Sequence, residues 1–379
     1  MGGERKHLLR AGELLFSRIT SSGRQPLIVY QYRQTPGGDP RDIQRVEAPL
    51  LNAVERVLEL VNARRTLTPI TLPNGQQLEL YDFPEAAVRE ALINAVVHRD
   101  YALPGPVVVD HSPEVLVITS PGPLVAGVTP ANILTHPSAP RNRTLARAMR
   151  TLGFAEEVGR GIDRIFREMI RSGRDLPRFD EAPDHVRVSL VGGAPNTHVA
   201  RFVAGLPEEE RDDTDTMLIL FRLCAQRTVD AEGLGPFLQK TIDEAESALR
   251  RLASERVRLL EPTRQTVRRA RPTYRLRSEP LRALGPAVAY QRRTVDDTDR
   301  RIVAHVREYG RVTNKTVQNL LDVGMPRARD ILRDLVDRQV LRKEPGRERG
   351  PGVGYLQGPA FPVSSRRTAG TTRRRSPRK

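Results

Sequence analysis

The sequence predicts an α+β chain of several domains, and three observations predict it. Helix-period runs and short strand-like runs follow one another as far as Leu190. A Gly/Pro/Asn linker, Gly192–Asn196, then interrupts the pattern. Beyond it, two stretches repeat one order, three helices followed by a strand pair. At 379 residues the chain has room for two or three domains.

Taken in order, Ala11–Phe16 and Leu27–Tyr32 read as strands, and the Gly- and Pro-rich loop Arg33–Arg41 separates them from a helical run. That run, Val46–Ala63, places Leu50, Val54, Val57, Leu58 and Val61 at helical spacing, so it should pack on the domain that follows. Phe83–Tyr101 reads as a second helix. Its apolar side carries Ala87, Val88, Ala91, Leu92 and Ala95, while Glu90 and Asn94 stand one turn apart on another face. An Asn oxygen can complete the shell of a magnesium ion carrying nucleotide phosphates, and a nearby Glu can polarise a water. The spacing alone also fits an ordinary exposed polar face.

The run Glu90–Tyr101, EALINAVVHRDY, resembles the first nucleotide-binding box of the RecG C-terminal ATPase-like family, whose domain is similar to the GHKL ATPases. Three further elements follow in the family's order. Val107–Leu124 resembles its strand, turn, strand and glycine loop, and Arg141-Asn142 then opens a helix. Glu156–Phe166 resembles its later Gly-x-Gly-Ile box, and Phe179–Leu190 its closing strand region. The resemblance implies a GHKL-like α/β sandwich over residues 66–192 that takes ATP and Mg2+, with Glu90 as the catalytic residue and Asn94 on the metal. It implies cofactor-binding roles for Asn94, Arg99, Asp100, Ser120, Gly122, Gly159 and Gly161. Residues 1–65 resemble only the end of the Schlafen AlbA-type domain that usually precedes this one, together with a connecting helix. Two departures are notable. Ser120 stands where the wider group has an Asp that reads the adenine amino group, and a hydroxyl accepts without a charge. Pro123 replaces the second glycine of the loop and removes an N–H, which favours binding over fast hydrolysis.

The two C-terminal stretches have the winged helix order. The first, within 205–285, has helices at Met217–Leu223, Leu234–Leu238 and Ile242–Glu255, and strands at Val257–Leu260 and Thr273–Leu276. Its third helix starts with Asp243, Glu244 and Glu246, which would face phosphates badly, although Arg264, Arg268, Arg269 and Arg271 make its wing basic. The second, within 292–358, has helices at Arg300–Tyr309, Thr313–Leu321 and Pro326–Gln339 and a wing at Glu344–Gly354. Thr313 suits a cap and Pro326 a first helical position. Its candidate DNA contacts are Lys315, Arg327, Arg329, Arg333, Arg347 and Arg349. Residues 359–379 lack an apolar period and should be a disordered basic tail.

A net charge of +16 points to a polyanion, and double-stranded DNA is the partner expected. A GC-rich genome would also produce such an Arg bias, since Lys occurs only at positions 6, 240, 315, 343 and 379. One cysteine, Cys224, excludes a disulfide within the chain and suits a reducing bacterial cytoplasm. Nothing approaches the roughly 20 apolar residues of a membrane span. No G-x-x-x-x-G-K-[ST] occurs, so a helicase motor is excluded. A hydrolase dyad from His98 and Asp100 is geometrically poor on a helix. The expected function is an ATP- and DNA-binding transcriptional regulator with at most weak ATPase activity. The alternative is a degenerate scaffold that binds DNA or protein without nucleotide, and a homodimer stays open.

Overall fold

The computed structural model describes residues 10–17, 27–154, 161–288, 299, 301–321, 323–345 and 352–361. The chain divides into two compact units, residues 1–289 and 290–379.

The first unit is built on a six-stranded mixed sheet. Its strands are β1 (Ile28–Tyr32), β2 (Asp42–Val46), β5 (Val107–His111), β6 (Val115–Pro121), β7 (Arg178–Glu181) and β8 (His185–Val191), in the order β2-β1-β5-β6-β8-β7. Only β1 and β5 run parallel; Ile28 pairs with Val107 and Tyr32 with His111. The helices α2 (Leu50–Asn62), α3 (Glu85–His98), α4 (Arg143–Thr151) and α5 (Gly161–Arg171) contribute to one core with the sheet, where Tyr30, Phe83, Leu92, Met149 and Ile165 are fully buried. Residues 28–62 thus supply two strands and a helix to this sheet and core, and the helical run packs on the following elements as expected. Ala11–Phe16, read as a strand, lies in helix α1 (Arg10–Phe16). Six residues are too few to show a helical period, and Leu15 is the side chain this helix buries in the core.

The hairpin of β3 (Leu67–Thr71) and β4 (Gln77–Tyr81) turns at Asn74-Gly75, where Gly75 adopts φ +84°. It packs on α6 (Thr197–Ala204) through Ile70, Leu80 and Ala200. Asn196, placed in the linker by composition, caps α6 by accepting from Val199 N–H at 3.4 Å. A short α7 (Glu208–Arg211) precedes three helices, α8 (Thr214–Ala225), α9 (Ala231–Leu238) and α10 (Ile242–Ala253). The strand pair β9 (Leu260–Pro262) and β10 (Tyr274–Leu276) follows, then α11 (Ser278–Leu284). Cys224 is half-buried on α8, where burial pushes its thiol up to about 11, so it packs rather than reacts.

In the second unit, α12 (301–309), β11 (Val312–Thr313), α13 (Asn314–Leu321), α14 (Met325–Asp337), β12 (Leu341–Lys343) and β13 (Gly354–Gln357) enclose a small core. Ile302 and Val317 are among its buried side chains, with Ala328, Leu332 and Leu335 as the period of α14 requires. Thr313 caps α13, its hydroxyl accepting from Thr316 N–H at 3.2 Å. The three strands align in the order β11-β13-β12. The expected disordered tail falls largely outside the described residues.

Candidate active site

Helix α3 is buried on nearly every side, unlike the amphipathic helix its apolar positions suggest. Ile93, Val96 and Val97 are buried together with Ala87, Val88, Ala91, Leu92 and Ala95. Glu90 is itself only 9% exposed, so the plain solvated-face reading does not hold for it. Asn94 is half-buried and donates through Nδ2 to Glu90 Oε1 at 3.3 Å. Gly161, the first residue of α5, closes this corner. A Cβ on Gly161 would overlap Glu90 Oε1, lie 2.8 Å from Glu90 Cδ and 3.3 Å from Asn94 Nδ2. Its backbone is not left-handed, so the glycine is needed for closeness to these side chains and not for its turn geometry.

These three residues stand on the wall of a cavity of about 210 Å3. Ile118 of β6, Ile165 of α5 and Val188 of β8 form apolar parts of its lining, and Ser120 of β6 adds a hydroxyl. The segment 122–140 crosses it, contributing Gly122, Val125, Val128, Ile133 and His136. An apolar pocket with a few polar groups at one end is the usual form of a small-molecule site.

The C-terminal end of α3 is held by side chains. Helices leave their last four carbonyls without internal partners. Here Ser120 Oγ donates to Ala95 O at 2.7 Å, and Tyr101 Oη to Val96 O at 3.0 Å. Asn142 Nδ2 donates to Val97 O at 2.8 Å, and Arg141 Nε to His98 O at 3.0 Å. Ser120, 7% exposed, thus uses its proton on the helix and can offer a ligand only acceptor lone pairs. Arg141 also donates to Pro123 O at 2.8 Å, which ties the crossing segment to the same point.

Arg99 and Asp100, both expected to bind the cofactor, do not line the cavity. The helix ends at His98 and the chain turns, with Arg99 at ψ 138°. Arg99 donates to Leu103 O at 3.3 Å and lies over the Tyr101 ring at 4.6 Å. Asp100 accepts from Ala102 N–H at 2.9 Å, holding the turn. Gly122 does line the cavity, at φ +98°, and a Cβ there would meet Asp100 Cβ at 2.7 Å. His98 lies on the cavity wall, and burial followed by the Arg141 charge lowers its pKa, which keeps the ring neutral. Arg150 of α4 also lines the cavity. Its position in an arginine-rich run, with Arg141, Arg143 and Arg147, hid it from sequence reasoning. Gly159 lies outside the described residues.

The candidate DNA contacts belong to the second unit. Lys315 on α13 and Arg329 and Arg333 on α14 are exposed. Arg327 lies on α14, and Arg347 and Arg349 lie outside the described residues. In the first unit each acid at the start of α10 has a partner, although Asp243 and Glu244 are exposed. Glu246 is buried and accepts from Arg250 Nε at 2.7 Å and Tyr274 Oη at 3.1 Å. Glu244 completes a capping box with Thr241, and Asp243 pairs with Arg271 at 2.7 Å.

Among the described residues, no group of three or more His, Cys, Asp or Glu side chains could hold a metal alone, and no helix is long and apolar enough to cross a membrane. No curated protein is significantly similar to the chain. The structure of the DIP2311 protein from Corynebacterium diphtheriae is similar to it at 26% identity and a TM-score of 0.64, covering 74% of this chain and 56% of that one. The chain therefore spans little more than half the length of that protein. Residues 105–190 match the family model described as "Putative ATP-dependent DNA helicase recG C-terminal". The match starts after α3, and Gly161, inside it, is the residue packed on Glu90 and Asn94. From β5 through α5 to β8, this part of the chain is thus similar to the RecG C-terminal, ATPase-like family.

Proposed function

We propose that the chain binds ATP with magnesium in this cavity, and that occupancy biases binding of double-stranded DNA by two winged helices in a bacterial cytosolic regulator. The observation that carries the nucleotide reading is the meeting of Glu90, Asn94 and Gly161 on one wall of a largely apolar cavity. The donor set fits magnesium. Asn94 gives an amide N–H to Glu90, which leaves its amide oxygen available as a hard ligand, and a Mg2+ bound through one or two protein oxygens takes the rest from phosphates and water. Magnesium would there neutralise phosphate charge. Glu90 would orient a water, and Ser120 would accept from a base amino group. Ser120 brings no charge and Pro123 no N–H, which supports binding in preference to fast turnover.

The DNA reading is supported by the order of three helices and a strand pair in both units and by exposed cations. Arg264, Arg268 and Arg269 are exposed beside β9 and β10 in the first unit, and Arg329 and Arg333 on α14 in the second. The burial of Glu246 takes one of the three acids of α10 off that surface, while Asp243 and Glu244 stay exposed.

The test is a melting curve of the whole chain with ATP, with and without magnesium. A ligand that binds only the folded state at a hundredfold excess over Kd stabilises it by about 2.7 kcal/mol. ATP-Mg should raise Tm, and Asn94→Ala should lose the magnesium-dependent part. An unchanged Tm at millimolar ATP-Mg refutes the reading.

A further inference from the structure

We infer that Gln239 positions the segment crossing the cavity and links cavity occupancy to the corner between α9 and α10. This rests on the nucleotide reading above and names the contact through which occupancy reaches the first three-helix unit. Gln239 follows α9 and takes the left-handed backbone conformation, φ 57°. Its side chain reaches across to the crossing segment. Oε1 accepts from Leu134 N–H at 2.7 Å, and Nε2 donates to Pro130 O at 2.9 Å. Both ends of one amide are thus engaged by backbone more than a hundred residues away in sequence.

The gripped segment is tied together by Asn132. Asn132 Oδ1 accepts from Thr129 N–H at 2.7 Å, Asn132 Nδ2 donates to Gly127 O at 2.9 Å, and Asn132 O accepts from His136 N–H at 2.8 Å. Val128, Ile133 and His136 of this segment line the cavity. Its flanks are tied by Leu124 N–H to Glu181 at 3.0 Å and by Arg141 to Pro123 O. Gln239 grips its middle.

The other side of the contact is stiff. Lys240 N–H donates to Gly235 O at 2.9 Å, and a Cβ on Gly235 would lie 3.1 Å from Lys240 O. Lys240 Nζ pairs with Asp215 at 2.5 Å, and the Thr241–Glu244 capping box starts α10 directly after. A shift of residues 130–134 is therefore carried to the first turn of α10 and is not absorbed in a slack loop. Linkage requires only that nucleotide bind the gripped and released arrangements with different affinity, and the effect is then reciprocal.

The experiment compares the full chain with Gln239→Gly and Gln239→Glu by amide hydrogen exchange and by ATP-Mg affinity. Glycine accepts the left-handed conformation, so Gln239→Gly removes the grip without straining the cap. Glutamate keeps the acceptor for Leu134 and loses the donor to Pro130. Without nucleotide, exchange at Leu134 should rise several-fold in Gln239→Gly and less in Gln239→Glu. ATP-Mg should bind roughly fivefold to tenfold more weakly to Gln239→Gly, the range expected for hydrogen bonds of this kind. In the unaltered chain, ATP-Mg should slow exchange over both 128–136 and 236–244; in Gln239→Gly it should slow only the first. Equal Leu134 exchange in both proteins, or a 236–244 response that survives Gln239→Gly, overturns the inference. An unaltered chain that binds no ATP-Mg overturns the nucleotide reading and the inference together, and that result is visible before any substitution.

Discussion

Gly161→Ala is the most direct perturbation of the site. The added methyl would sit 2.8 Å from Glu90 Cδ and on top of Glu90 Oε1. Carbon atoms pack at about 3.5–4.0 Å, so the carboxylate must retreat by about 1 Å or α5 must move. Ile165 and Met169 of α5 are fully buried and hold the helix, so the Glu90 carboxylate, which borders the cavity, is the part that gives and loses its packed position. Overpacking of this kind costs about 1–3 kcal/mol, a fall in Tm of several degrees for a unit of this size. The displaced carboxylate also breaks its 3.3 Å hydrogen bond with Asn94, and the amide oxygen loses its aim. ATP-Mg affinity should then drop at least about tenfold, which corresponds to about 1.4 kcal/mol. The assay is a thermal melt with calorimetric ATP-Mg titration of Gly161→Ala, Glu90→Ala and the double variant. Truncating Glu90 vacates the space the methyl enters, so the double variant should be more stable than the sum of the two single effects predicts, by about 1 kcal/mol. A Gly161→Ala protein with unchanged Tm and unchanged affinity would refute the close packing of Glu90 on Gly161.

The fully buried His111 should make the protein acid-sensitive. Desolvation, with a smaller contribution from Arg64, lowers its pKa from 6.5 to about 4. The unfolded chain therefore binds the proton first, so stability is full above about 6.5 and is lost as pH falls toward 4, by about 3 kcal/mol. His98, also lowered, adds in the same direction. His111→Gln should flatten that slope in denaturant melts from pH 7 to 4, and parallel profiles would count against the explanation. For DNA, a chain ending at residue 289 retains the fully buried Val288 and keeps the first unit whole. It should bind duplex more weakly than the full chain, and Arg329→Ala or Arg333→Ala in the full chain should reduce affinity by roughly 1–3 kcal/mol on a preferred site. Equal affinity of the shortened chain across a salt series would move the duplex surface to the first unit.

The sequence by itself determined the helix carrying Glu90 and Asn94, the strand pair β5–β6, the closing strands and the two runs of three helices. Each of these is a local periodicity or a short ordered motif, and such signals are written within one turn or one strand. What lay in contacts between distant segments stayed illegible. β1 joins β5 across some 75 residues of chain, so nothing local separates it from a preceding module. Ser120 caps Ala95, and Gly161 is small because Glu90 lies against it; each reason sits on another element. Arg99 and Asp100 leave the site because α3 ends one residue before them, a boundary set by Arg141 and Asn142 from far along the chain. Gln239 is an unremarkable residue after a short helix in one dimension. Only the tertiary structure brings its amide to Pro130 and Leu134, because side-chain hydrogen bonds depend on distance in space and leave no period in sequence.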